Sequence, residues 1–223
     1  MKKDVGIFLA VLVLFLILIS IPIYYSSIKK NETVQLNGVE IGNYNGTRLD
    51  SVNDFRENSI KGIQHIDINN YELVIGGLVS NPKNYTYEEV ISHKNYEKVV
   101  TLNCVEGWSA TILWKGVLLK DLFEEVKPLD SAKVVIFHAY DGYTVNYPVD
   151  YFENDIIMAY EMNNETIIPA RGYPFVLVAE DKWGYKWIKW ITEIEFSDDI
   201  NYKGYWESRG YSKEGNLNES FVA

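Results

Sequence analysis

With 223 residues and a formal net charge of −10, the chain lacks the basic footprint that nucleic-acid binding requires. Its single cysteine, Cys104, excludes an internal disulfide, and no Cys/His spacing matches a zinc site. The three histidines, His65, His93 and His138, stand far apart in the chain and read as ordinary surface or core residues.

Val5 to Tyr25 carries no charge. At roughly 1.5 Å per helical residue it is long enough for a hydrocarbon core of about 30 Å. The SIPIYYSS that ends it is a poor cleavage site, so residues 1–28 read as an uncleaved membrane anchor. Lys2 and Lys3 precede the run and Lys29 and Lys30 follow it, so flanking charge leaves the orientation open. Asn-x-Ser/Thr sites at Asn31, Asn45, Asn84, Asn164 and Asn218 place the soluble part on the extracytoplasmic side of a single-pass protein.

Residues 29–59 are rich in Asn, Gly and Ser and read as a tether with an irregular lead-in. One domain over 60–223 follows, long enough for a full core. Tyr71 to Ile75 reads as a strand ended by Gly76-Gly77, and Asn81-Pro82 as a turn. Thr86-Tyr-Glu-Glu89 fits a capping box before a short helix. Val99 to Asn103 is a strand that delivers Cys104 at its end. Leu118, Leu122, Phe123 and Val126 recur at helical spacing, which predicts an amphipathic helix over 118–125. Val134 to Phe137 and Thr144 to Tyr147 form a hairpin around Asp141-Gly142. Asp155 to Met162, Phe175 to Val178 and Ile191 to Phe196 are further strands. Strands and short helices without a regular βα repeat predict an α+β fold.

All six tryptophans fall between Trp108 and Trp206, three of them in the KWGYKWIKW of Lys182 to Trp190. Most read as core. Lys182, Lys186 and Lys189 are interleaved with these rings around Gly184, where backbone N–H groups and ammonium charge would suit an anion. A solvated lysine face is the other reading of the same pattern.

The lone thiol has three readings. It is a small buried hydrophobe, a nucleophile, or a ligand to a soft or redox metal. A nucleophile needs a basic neighbour, and Glu106 would instead raise the thiol pKa. One protein ligand suffices for a metal only where a cofactor brings most of the others.

The residues around it resemble the sulfite oxidase-like molybdopterin domain, and within it the catalytic subunit of periplasmic methionine sulfoxide reductase. Asn103-Cys-Val-Glu-Gly-Trp-Ser109, then Trp114-x-Gly116-Val-x-Leu, carry the first part of the likeness. Asp141-Gly-Tyr143, Gly172-x-Pro174, Gly184-Tyr-Lys186-x-x-Lys189-Trp190 and Gly204-Tyr-Trp206 extend it over roughly 71–211. The asparagine- and aromatic-rich N-terminal cofactor motif of the reductase is not found, and the chain starts Met-Lys-Lys rather than with a twin arginine. The resemblance implies an α+β fold around a molybdenum–molybdopterin cofactor, with Cys104 completing the metal shell. It implies that Gly184, Lys186 and Lys189 hold the pterin and its phosphate, and Arg171 and Arg209 are added to that pocket. Glu106 and Trp108 are assigned to the reacting centre. The expected function is oxygen-atom transfer on a small S- or N-oxide substrate, with electrons from a membrane carrier beside the lipid bilayer. A cofactor-free surface binding module that keeps the fold is the alternative.

Overall fold

A computed structural model describes residues 40–223. The apolar run at 5–25 and the tether up to residue 39 lie outside the described residues. Among the described residues no helix is long and apolar enough to cross a membrane.

Two five-stranded sheets, a two-stranded one and two short α-helices are the main elements of the described part, an α+β arrangement. The strands are β1 (Asn43–Tyr44), β2 (Thr47–Arg48), β3 (Leu73–Gly77), β4 (Lys83–Tyr85), β5 (Asn95–Asn103) and β6 (Ser109–Leu118), followed by β7 (Val134–Ala139), β8 (Thr144–Pro148), β9 (Ile157–Met162), β10 (Glu165–Thr166), β11 (Val176–Val178) and β12 (Ile191–Ser197). Helix α1 is Tyr87–Ser92 and α2 is Leu119–Val126. One sheet has the order β4-β3-β12-β7-β8, with β3 and β12 parallel. The other has the order β10-β9-β6-β5, and β11 also pairs with β9.

Local chemistry explains most boundaries. Gly77 ends β3 at φ +79°, where an added Cβ would lie 2.2 Å from the Phe196 carbonyl oxygen. The expected capping box opens α1: Glu89 N–H donates to Thr86 Oγ1 at 3.3 Å, and Thr86 N–H donates to the Glu89 carboxylate at 2.7 Å. Leu119, Leu122, Phe123 and Val126 of α2 are buried, and Phe123 meets Phe196 of β12 edge-on at 4.8 Å. The hairpin at Asp141-Gly142 joins β7 to β8 as expected.

Strand β6 has no counterpart among the expected elements. It is central, paired with β5 on one side and β9 on the other, and most of its residues are buried. A strand covered on both faces loses the alternation that marks one in sequence.

The segment read as a tether is, from Glu40 onward, part of this domain. Asn45-Gly46 turns β1 into β2 with positive φ at both residues, the pattern of a tight hairpin turn. Leu49 and Val52 are buried. Asp50 N–H donates to the Thr111 carbonyl at 2.9 Å, and Thr111 N–H donates to the Asp50 carboxylate at 2.8 Å. Arg171 donates to the Val52 and Phe55 carbonyls at 2.7 and 2.9 Å. Composition misled here because these polar side chains bond to the domain rather than to water.

Glu125 of α2 ties three elements together. It accepts from Lys83, from Tyr85 Oη at 2.9 Å, and pairs with His93 Nε2 at 2.9 Å. The Lys83 hydrogen bond, with His93 and Tyr85 behind it and burial opposing, holds its carboxyl at about 2 against an ordinary 4.5. A depressed carboxylate stabilises the fold above the ordinary value, and that contribution is lost as pH falls from 4.5 toward about 2. The side chain is 34% exposed, so the effect is screened. Glu125→Gln should cost no more than about 1 kcal/mol at neutral pH. Urea titrations of variant and parent should converge over that acid window.

Candidate active site

Strand β5 ends at Asn103, and a five-residue loop carries the chain to β6. Cys104 opens this loop. Its N–H donates to the Trp108 carbonyl at 2.9 Å, and its carbonyl accepts from Gly107 N–H at 3.1 Å. Gly107 turns the loop at φ +84°. The thiol is thereby fixed at the end of a nine-residue hairpin ladder.

A cleft of about 530 Å³ opens over this loop, and Cys104 lines it. Trp108 forms one wall and stands edge-on to Phe55 at 5.6 Å. Three cationic side chains, Arg56, Arg171 and Lys189, reach the cleft from three separate segments. Lys189 Nζ lies 3.1 Å from Glu57 and 4.3 Å over the Trp190 ring. Burial pulls its pKa down, and Glu57 opposes this. Arg171 is likewise lowered by burial.

The Cys104 thiol is half-buried, and burial pushes its pKa up. The Glu106 backbone opposes this, the Glu106 charge adds to it, and Arg56 pulls the other way. Such a thiol is a poor free nucleophile. Cationic charge placed directly on the sulfur would deprotonate it. Glu106 is exposed at the rim, where Asn58 Nδ2 and Trp108 Nε1 donate to it at 3.2 and 3.3 Å. Gly184 lines the cleft beside the cysteine loop. A Cβ there would lie 3.2 Å from the Asn103 carbonyl oxygen and 3.4 Å from Cys104 Cα. The glycine lets the 183–184 turn close on that loop.

Two expected ligands lie elsewhere. Lys186 is fully buried and does not line the cleft. Its ammonium donates to the Asn146 and Lys213 carbonyls at 2.8 and 2.9 Å and to Glu207 at 2.6 Å. All three of its donors are used. Arg209 is exposed, stacked at 3.6 Å on the Tyr205 ring, and donates to its own loop at the Tyr205 carbonyl.

Sequence reading missed Phe55, Arg56, Asn58 and Ser59, all of which line the cleft. One signal was available. The chain has four arginines, Arg48, Arg56, Arg171 and Arg209, and an arginine beside a phenylalanine is unusual in a tether. Ser59 Oγ is buried without a hydrogen-bond partner. An orphaned hydroxyl in a cleft lined by cations points to a polar, anionic ligand.

The family model described as the oxidoreductase molybdopterin binding domain matches residues 60–206. The chain belongs to this family. An uncharacterized oxidoreductase, YuiH, of Bacillus subtilis (strain 168) is 34% identical over 67% of this chain and 76% of its own length. The catalytic subunit MsrP of a protein-methionine-sulfoxide reductase from Campylobacter jejuni is 30% identical over 68% of this chain. This chain spans 57% of that relative. The sulfane dehydrogenase SoxCD of Paracoccus pantotrophus shares the fold with a TM-score of 0.61, at 22% identity over 69% of this chain and 43% of that one. The sulfite oxidase-like molybdopterin-binding fold expected from the cysteine motif is therefore the fold of this chain.

The residues present fit the cofactor that the family's description implies. Cys104 offers one soft sulfur in the cleft, a suitable donor for a metal whose other ligands come with the pterin. Arg56, Arg171, Lys189 and the Ser59 hydroxyl offer donors to its phosphate and heterocycle.

Proposed function

We propose that the chain is a molybdopterin-dependent oxidoreductase that transfers an oxygen atom to or from a small substrate, with a neutral S- or N-oxide as its oxidised partner. The observation that carries the reading is the half-buried Cys104 held at the cleft by a rigid hairpin, with three cations and an orphaned hydroxyl around it. The likeness to a protein-methionine-sulfoxide reductase subunit supports an S-oxide. When bound, the cofactor supplies two-electron oxygen-atom exchange.

The chain's own groups do the rest. Cys104 offers a fixed sulfur. Arg56, Arg171 and Lys189 orient an anionic group. Trp108 and Phe55 screen the reacting space from water. Glu106, held by Asn58 and Trp108 at the rim, is placed to carry a proton between solvent and the cleft. Residues 1–28, as the anchor, would keep the domain at the outer face of the cell membrane beside an electron carrier. The apolar run and the Asn-x-Ser/Thr sites support that placement.

Glu106 also bears on substrate charge. Across about 4 Å a unit repulsion is about 1 kcal/mol in water and about 4 kcal/mol at an effective dielectric of 20, and the exposed position favours the lower figure. Glu106 therefore weighs against sulfite by about 1 kcal/mol. Steady-state assays with sulfoxides plus a reduced dye should show turnover, and sulfite plus an acceptor should not. Glu106→Gln should raise any residual sulfite kcat/KM by about fivefold. Efficient sulfite oxidation by the unaltered protein contradicts the proposal.

A further inference from the structure

We infer that His138, Glu193 and Glu195 form a divalent-cation site of the zinc class, separate from the cleft. None of the three lines the cleft. Their donor atoms, one imidazole nitrogen and two carboxylate oxygens, lie within 4.8 Å of one another. His138 Nε2 is 3.1 Å from Glu195 Oε2.

The fold places them together. Strands β7 and β12 are antiparallel, with Glu193 opposite His138 and Glu195 opposite Ile136. The register slips between Ile191 and Glu193. Such a bulge re-aims the side chains that follow it. Beyond it Ile194 and Phe196 point into the core, so Glu193 and Glu195 share the other face with His138. Thr192, the extra residue, bonds back to the His138 carbonyl through Oγ1 at 3.3 Å. On the far side of β12, Gly76 lies in register with Glu195, and a Cβ added to it meets nothing within 4 Å. Space for an ion and its water is therefore open beside the carboxylates.

Among the described residues, no lysine or arginine forms a salt bridge with Glu193 or Glu195, and Glu195 has the His138 ring nitrogen as its close partner at 3.1 Å. All three side chains are half-buried on central strands, which fixes them better than a loop would. A mixed nitrogen and oxygen set suits zinc or its neighbours over calcium or magnesium. A tetrahedral ion with bonds near 2.1 Å spaces its ligands by about 3.4 Å, which small rotations of the glutamate side chains would supply. Three protein ligands leave the fourth position to water.

Zinc binding by chelator-treated, tag-free full-length protein in detergent tests this, in a Cys104→Ala background that removes the thiol and separates this site from the cofactor. Equilibrium dialysis should give one zinc per chain. His138→Ala and Glu193→Gln should each weaken it by at least about tenfold. Cobalt in place of zinc should give a visible d–d band without a thiolate charge-transfer band. Far-UV circular dichroism checks the fold, and the isosteric Glu193→Gln keeps the test open should His138→Ala unfold. Absence of saturable zinc uptake, or uptake unchanged in folded Glu193→Gln, overturns the inference.

Discussion

Lys186→Ala should strongly destabilise the protein rather than simply empty its cleft. The substitution leaves Glu207 buried without its cation, in a site where Glu207 Oε2 already lacks a partner. Both side chains are 1% exposed. Breaking a buried pair by removing one member costs about 3–5 kcal/mol. That is a large part of the roughly 5–15 kcal/mol that holds a typical domain folded. Burial holds the Lys186 pKa below its ordinary value and Glu207 opposes this, so the pair is sustained by its neighbours as well as by charge. Tyr147 donates to the Lys186 carbonyl at 2.5 Å, and its ring lies 4.8 Å from the ammonium. Lys186→Met combined with Glu207→Gln should recover most of the loss, because no charge is then stranded. Urea unfolding midpoints measure both variants. A Lys186→Ala protein with an unchanged urea midpoint that merely lost cofactor would return Lys186 to the role of anion ligand.

Cys104→Ala should abolish redox turnover with little loss of fold. The loop that carries it is closed by backbone bonds, which alanine keeps. The residue is only half-buried, so a small truncation removes little packing. The thermal midpoint should move little, far-UV circular dichroism should not change, and oxygen-atom transfer should fall to background. A structural cysteine predicts the opposite pattern, with a stability loss and unaltered turnover.

These two residues mark how far the sequence could be read. Cys104 was legible because its neighbours are local: a strand end, a glycine directly after the acid, and a tryptophan whose carbonyl closes the loop. Thr86 with Glu89, the stripe of α2 and Asp141-Gly142 were legible for the same reason. Lys186 was not. It sits in a one-turn 3₁₀ helix, Gly184–Lys186, which turns its side chain inward, whereas Lys189 lies beyond that helix and faces the cleft. Spacing alone does not tell the two apart. Arg56 and Ser59 were hidden by the polar composition of a segment whose partners lie far away in sequence, such as Thr111 and Arg171. The grouping of His138 with Glu193 and Glu195 depends on pairing between strands more than fifty residues apart and on a bulge, neither of which leaves a local trace.

The most direct test of the central claim is the molybdenum and pterin content of full-length protein made in a host that assembles molybdopterin, measured with X-ray absorption at the molybdenum edge. The account predicts one molybdenum and one pterin per chain. The spectrum of the parent should contain one more sulfur scatterer than that of Cys104→Ala. Parent protein without molybdenum, or a metal shell unchanged by Cys104→Ala, would contradict it, and absence of the metal would leave a cofactor-free binding module as the reading of the fold.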